Sequence, residues 1–301
     1  LHATVAKLLF LCKRGRPDIQ TAIAFLCTRV QAPTTHDYNK LSRTIKYLRN
    51  TKKLVLRLSA DNLNIVKWWV DASYGVHHDM KSHTGGVMSL GTGAAYSTSK
   101  KQQLNTKSST EAEVVGADDV MPQMLWTLYF LEAQGYKIDD NVLYQDNKSS
   151  IHLENNGRGS SGKRTRHMNV RYFFIADCVK SKEIRIEYCP TGIMVADYFT
   201  KPLQGILFRQ LRDMIMGSAP IPLPSDTIDI DRDLTSRIPA ASTQPESRSV
   251  LVGEGKTGRP PRSQSVSVSF NHEQARPIMK RPALNSLASL TVLPIYNDNN
   301  G

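Results

Sequence analysis

No apolar run in this sequence approaches the length of a membrane span, and no signal-peptide pattern opens it, so no membrane partner is expected. Cysteine is scarce. Cys12, Cys27, Cys178 and Cys189 are the only four, and no two form a C-x-x-C pair. That removes the spacing of a zinc site and of a disulfide framework, and it fits a reducing intracellular compartment, cytoplasmic or nuclear. Acidic residues are outnumbered, 27 Asp+Glu against 39 Lys+Arg, which gives a formal charge of +12 and a pI near 9.5. A balance this basic suits a polyanion such as nucleic acid. From about Gly217 onward aromatics nearly vanish, Phe270 and Tyr296 being the last two, while Ser, Pro, Arg, Thr and Asn dominate. Such a segment cannot bury enough apolar surface to fold alone, so residues 218–301 are expected to be a disordered tail.

What is present is ordinary for a folded chain: 301 residues, 40% hydrophobic, with room for one or two domains. The first residue is Leu1, and the opening segment reads as mid-helix, so the chain is expected to continue something longer. Residues 1–50 read as three helices. Val5, Leu8, Leu9 and Cys12 share one face of the first, Pro17 suits the first turn of the second, and Thr34 or Thr35 caps the third. Cations from Lys40 to Lys53 accompany that third helix, either as a solvated face or as a face that tracks phosphates. Leu54 to Leu58 reads as a short strand. Ile65 to Val70 is a β-branched and aromatic run that stops at Asp71, which reads as a central strand with an acid near its carboxyl end. Its adjacent Trp68 and Trp69 are expected to pack on opposite faces. Thr84 to Leu90 and Ala94 to Thr98, split by Gly91-Thr92-Gly93, complete three antiparallel strands.

Ser108 followed by Glu111 is a capping-box pattern that opens a long helix, with a kink or break expected near Val120 because Pro122 lies inside it. Val142 to Gln145 is a second apolar strand, ending on Asp146. A short helix (Ser150 to Leu153), a basic glycine-rich loop, a helix from His167 to Val179 and an alternating strand from Ile184 to Tyr188 follow. A last helical piece holds Asp197, and residues 203–216 form a closing amphipathic helix. Two parallel neighbours place Asp71 and Asp146 side by side, and helices packed there bring a Glu and Asp197. Carboxylates that converge repel one another unless a divalent cation holds them. Mg²⁺ favours carboxylate and water oxygens, and a pair of such ions suits phosphodiester cleavage.

The blocks Trp69-Val70-Asp71-Ala72-Ser73, Ser99-Lys100-Lys101-Gln102, Ser108-Ser109-Thr110-Glu111-Ala112-Glu113, Gln145-Asp146-Asn147-Lys148-Ser149, Arg164-Thr165-Arg166-His167-Met168-Asn169-Val170-Arg171-Tyr172 and Ala196-Asp197-Tyr198-Phe199-Thr200-Lys201-Pro202-Leu203 resemble the ribonuclease H domain of Copia/Ty1-type retrotransposon Pol polyproteins. Val5-Ala6-Lys7-Leu8-Leu9 and Arg16-Pro17-Asp18-Ile19 are similar to the segment joining reverse transcriptase to that domain. The resemblance implies an α/β, ribonuclease H-like fold: a mixed five-stranded sheet, three antiparallel strands then two parallel, flanked by helices. It divides the chain into a helical connection segment (1–58), a ribonuclease H-like domain (59–217) and the tail. It implies two Mg²⁺ or Mn²⁺ ions, cleavage of RNA in RNA–DNA hybrids, and the reverse-transcriptase portion of the same or a related polyprotein as a partner. Asp71, Asp146 and Asp197 fall on the family's metal-binding acids. Ala112-Glu113-Val114 resembles the family's Ala-Glu-apolar pattern, which makes Glu113 the fourth ligand and Glu111 the cap, with Glu111 as the alternative ligand.

Lys163, Arg164 and Arg166 are expected to contact the hybrid backbone, and Ser73 and Asn147 the RNA. The loop Cys189-Pro190-Thr191-Gly192-Ile193-Met194 lacks the His that many cellular ribonucleases H carry before the last Asp, and His167 is the nearest substitute. No Tyr-x-Asp-Asp signature of a reverse-transcriptase active site occurs, so polymerase chemistry is not expected of this chain. An integrase or transposase would carry Asp, Asp and then Glu, whereas here the Glu lies between the first two Asp residues. Two readings stay open: an active hybrid-specific nuclease, or a catalytically inactive nucleic-acid-binding remnant.

Overall fold

The computed structural model describes residues 1–157 and 169–224. Lys163, Arg164, Arg166 and His167 lie outside the described residues, as does the stretch 225–301 of the expected tail. The N-terminal helices are α1 (His2–Arg14), α2 (Gln20–Cys27) and α3 (Thr35–Asn50). Pro17 falls in a 3-10 turn, Pro17–Ile19, just ahead of α2, where its missing N–H costs nothing. Thr34 caps α3 through a capping box with Asp37. Val5, Leu8, Cys12, Ile19, Ile23, Leu26 and Leu41 give these helices an apolar cluster of their own.

The strands are β1 (Ser59–Ala60), β2 (Ile65–Ser73), β3 (His83–Ser89), β4 (Gly91–Thr92) and β5 (Tyr96–Lys101). They are followed by α4 (Ser109–Ala133), β6 (Asp140–Gln145), α5 (Lys148–Asn156), α6 (Asn169–Lys180), β7 (Arg185–Tyr188), α7 (Asp197–Thr200) and α8 (Gly205–Ile215). The main sheet runs β5-β3-β2-β6-β7. β2, β3 and β5 are antiparallel, and β6 and β7 continue parallel to β2. This is the mixed five-stranded sheet, three antiparallel strands then two parallel, that the resemblance implies.

β2 sits at the centre of the sheet, and Val66 through Ala72 are buried on both faces. Strand alternation sends Trp68 toward α4, among Val120, Met121 and Met124, and Trp69 to the other face, against Phe199, Ile215 and Tyr144. Both rings are fully buried, and each contributes roughly 3–5 kcal/mol relative to alanine.

Three expectations are corrected. Leu54 to Leu58 is not a strand: its backbone is tied to the end of α8, with Arg57 N–H donating to Met216 O at 2.9 Å, while Leu54 and Leu56 pack on the Trp69 side of the sheet. The strand expected at Ala94 to Thr98 begins two residues later, because Ala94 N–H donates to Ile215 O instead of joining the ladder. Pro122 does not break α4. The buried row Val114, Ala117, Val120, Met121, Met124 and Leu128 is continuous across it, and that packing offsets the one helical bond a proline removes. Beyond Gly217, Ile221 is buried in the Trp69-side cluster.

Candidate metal centre

β2 and β6 run parallel, with Trp69 beside Tyr144, so their carboxyl ends lie together and carry Asp71 and Asp146 to one edge of the sheet. α4 crosses the same end. Gly116 packs over Ala72 and Val70, where a Cβ would make ordinary contact at 3.4 Å with Ala72 Cβ and Val70 Cγ1. Glu113, one turn earlier, is thereby set over Asp71, and the backbone N–H of Ala72 donates to its carboxylate. One ligand oxygen each from Asp71, Glu113 and Asp146 lie within 4.8 Å of one another. Glu111 faces elsewhere: Ser108 Oγ accepts from Glu111 N–H at 3.2 Å, and its carboxylate accepts from Lys107 N–H at 2.6 Å. It serves the helix start.

The fourth acid arrives from the other side of β2. Gly85 is paired with Asp71 across β3. It has no room for a side chain, because a Cβ there would meet Thr200 Cγ2 at 2.6 Å and Phe199 Cβ at 2.9 Å. α7 can therefore lie directly on the strand, with Asp197 at its first position. The N-terminal helices brace it, as Tyr198 Oη donates to Asp18 O at 2.8 Å and Thr21 Oγ1 donates to Tyr198 O at 2.6 Å. Thr200 Oγ1 donates to Asp71 Oδ2. Lys201 Nζ lies 2.6 Å from Asp197 Oδ1 and 3.7 Å from Asp71 Oδ1.

The electrostatics follow from this crowding. Burial is the largest cause holding the Asp71 carboxyl above its ordinary range, with Asp146 adding to it, while Lys201, Thr200 and Asp197 pull it down. Asp197 is pushed up to about 6, by burial and then by the charge of Asp71. Glu113 is held well above the usual carboxylate range by burial and then by Asp71 and Asp146. Burial works against the Lys201 ammonium, but Asp71 and Asp197 outweigh it and raise its pKa.

Other groups that frame the site carry no motif. Thr191, in the loop that lacks the expected His, donates from Oγ1 to Asp146 Oδ2 at 3.0 Å. Glu154 of α5 is fully buried and is pushed up to about 7 by burial, with Ser150 Oγ donating to its Oε1 at 2.8 Å. Of the residues expected to touch RNA, Asn147 spends its side-chain oxygen capping α5, accepting from the N–H groups of Ser149 and Ser150. Ser73 Oγ donates to Thr200 O at 3.4 Å, so it stays at the rim of the acidic cluster.

The donor set is all carboxylate oxygen, and among the described residues Glu113 Oε2 is buried without a hydrogen-bond partner. Hard oxygen donors and a buried acceptor left unpaired fit a hard divalent cation.

No family model matches the chain. Among curated proteins it is 28% identical over 214 residues to the retrovirus-related Pol polyprotein from transposon TNT 1-94 of Nicotiana tabacum, covering 71% of this chain and 16% of that protein. It is 30% identical over 196 residues to the corresponding polyprotein from transposon RE2 of Arabidopsis thaliana, covering 64% of this chain and 13% of the relative. A putative transposon Ty5-1 protein of Saccharomyces cerevisiae is 30% identical over 125 residues, 41% of each chain. The chain thus spans a small part of the polyproteins it matches. Among solved structures, a ribonuclease H isolated from compost aligns at 11% identity and a TM-score of 0.34, covering 45% of this chain and 92% of its own. The ribonuclease H of the archaeon Halobacterium salinarum aligns at 15% identity and a TM-score of 0.30, covering 45% and 93%. The homologues of this chain are Copia/Ty1-type, retrovirus-related Pol polyproteins.

Proposed function

We propose that this chain is the ribonuclease H portion of a Copia/Ty1-type Pol polyprotein and hydrolyses the RNA strand of RNA–DNA hybrids during reverse transcription. The observation that carries the reading is the convergence of Asp71, Glu113 and Asp146 within 4.8 Å, with Asp197 held against Asp71 by α7. In this reading residues 1–58 are the connection from a reverse transcriptase, which is the expected partner, and 59–217 are the nuclease domain.

Asp71, Glu113, Asp146 and Asp197 would hold two Mg²⁺ or Mn²⁺ ions. Bound there, such ions supply an activated water and stabilise the leaving oxygen of a phosphodiester. The protein's own part is positioning. Thr200 fixes the Asp71 carboxylate from one side, and Thr191 does the same for Asp146. Buried aromatic packing beneath β2 and α7 keeps these acids from drifting apart. The net positive charge of +12 supports attraction of the hybrid, with Arg164, Arg166 and the cations between Lys40 and Lys53 as backbone contacts.

The test compares wild type with Asp71→Asn on a labelled hybrid in Mg²⁺. The variant should lose cleavage and keep hybrid binding, because its charge serves the ions and not the phosphates. Cleavage by Asp71→Asn at the wild-type rate would remove Asp71 from the centre and with it this reading.

A further inference from the structure

Lys201 lies four residues after Asp197, past the end of α7, and its chain turns back so that the ammonium comes within reach of two carboxylates. The two oxygens it reaches are Asp197 Oδ1, at 2.6 Å, and Asp71 Oδ1, at 3.7 Å. Both acids belong to the proposed metal centre, so the protein supplies a cation of its own to the oxygens a divalent ion would use. The side chain is neither buried nor free: it is 39% exposed, while the carboxyls it joins are 4% and 10% exposed. It can therefore swing out to solvent without unpacking the core, as the two acids cannot.

Resting on the metal reading above, we propose that Lys201 is a competing internal counter-cation: it neutralises the Asp71–Asp197 pair, and divalent-ion binding at that pair requires its ammonium to leave. Two consequences have opposite signs. Without Lys201 the metal-free protein carries unrelieved carboxylate repulsion and is less stable. The same loss removes a competitor, so divalent ions bind more tightly. A lysine that only braced α7 would not separate these effects, because its removal would loosen the site and weaken both.

The experiment titrates Mn²⁺ alone, without nucleic acid, into wild type, Lys201→Gln and Lys201→Arg by calorimetry, and follows the melting temperature of each with and without Mn²⁺. Lys201→Gln should bind Mn²⁺ about tenfold more tightly, in the usual range of coupling between two sites. Its metal-free form should melt below wild type, and its Mn²⁺-induced rise should be the larger. Lys201→Arg keeps the charge and should bind Mn²⁺ no more tightly than wild type. Equal or weaker Mn²⁺ affinity in Lys201→Gln, with wild type still binding, would overturn the competition and leave the metal centre standing. Failure of Mn²⁺ to bind any of the three folded proteins would overturn the metal reading and this inference together.

Discussion

Replacing Asp197 by asparagine should make the metal-free protein more stable near neutral pH while abolishing its response to divalent cations. The Asp197 carboxyl is pushed from an ordinary 3.8 up to about 6 by burial and by Asp71, even with Lys201 beside it. A raised carboxyl pKa means that the folded chain holds this proton more tightly than the unfolded one. The stability linked to the proton is complete below the unfolded pKa and is lost as pH climbs through about 6. A shift of that size corresponds to on the order of 3 kcal/mol above pH 6. This is an upper bound, because the amide forfeits the ion pair with Lys201. With about 2–4 °C per kcal/mol for a domain of this size, Asp197→Asn should melt several degrees above wild type near neutral pH. At about pH 4, where both side chains are largely uncharged, the two melting temperatures should converge. Mg²⁺ should raise the wild-type melting temperature and leave the variant's where it was, since only a folded state that binds the ion is stabilised. Thermal melts at the two pH values, with and without Mg²⁺, give all four comparisons. A variant that melts below wild type near neutral pH, or that shares the Mg²⁺ shift, would refute the electrostatic account of this site.

Gly85→Ala should cost about 1–3 kcal/mol in urea unfolding, because the added Cβ collides with Thr200 and Phe199, and should cut hybrid cleavage further by lifting α7 off β2. Unchanged cleavage would mean that the position of Asp197 does not matter. Mn²⁺ affinity should fall as pH drops through about 6, with release of protons on binding, as Asp197 takes up a proton in competition with the ion, and Glu113, held well above the usual carboxylate range, adds to that release. Calorimetry in buffers of different ionisation enthalpy reads that release directly. Neutralising Arg164 and Arg166 together should flatten the salt dependence of hybrid binding by up to about two units of slope. An unchanged slope would make that loop a solvated run.

Much of the fold was legible because hydrophobic pattern dictates it. The β-branched and aromatic run ending at Asp71 could be little other than a buried strand, and adjacent tryptophans on a strand must face opposite layers. The Ser108–Glu111 pattern also marks the helix start, where Glu111 N–H donates to Ser108 Oγ, while Glu113 lies with Asp71 and Asp146. Where sequence reasoning slipped, a tertiary contact outweighed a local preference. Leu54 to Leu58 has strand-like composition, but Leu54 N–H donates back to Thr51 O and Arg57 N–H to Met216 O at the end of α8. Pro122 argues for a break, yet the apolar face on both sides of it is buried on one sheet. The groups that dress the site were not legible. Thr200, Lys201 and Thr191 touch Asp71, Asp197 and Asp146 only because Gly85 admits α7 to the strand and because the loop after β7 folds over Asp146. Glu154 gave no signal, since a buried acid on a short helix has no spacing that announces it.

The central claim is tested most directly by incubating the folded chain with an RNA strand labelled and annealed to DNA, alongside the same RNA alone and in an RNA duplex, in Mg²⁺ and again after chelation. The expected result is scission of the RNA within the hybrid only, dependent on Mg²⁺ and leaving the DNA strand intact. Binding of the hybrid without scission in Mg²⁺ would contradict the claim and make the chain a nucleic-acid-binding remnant.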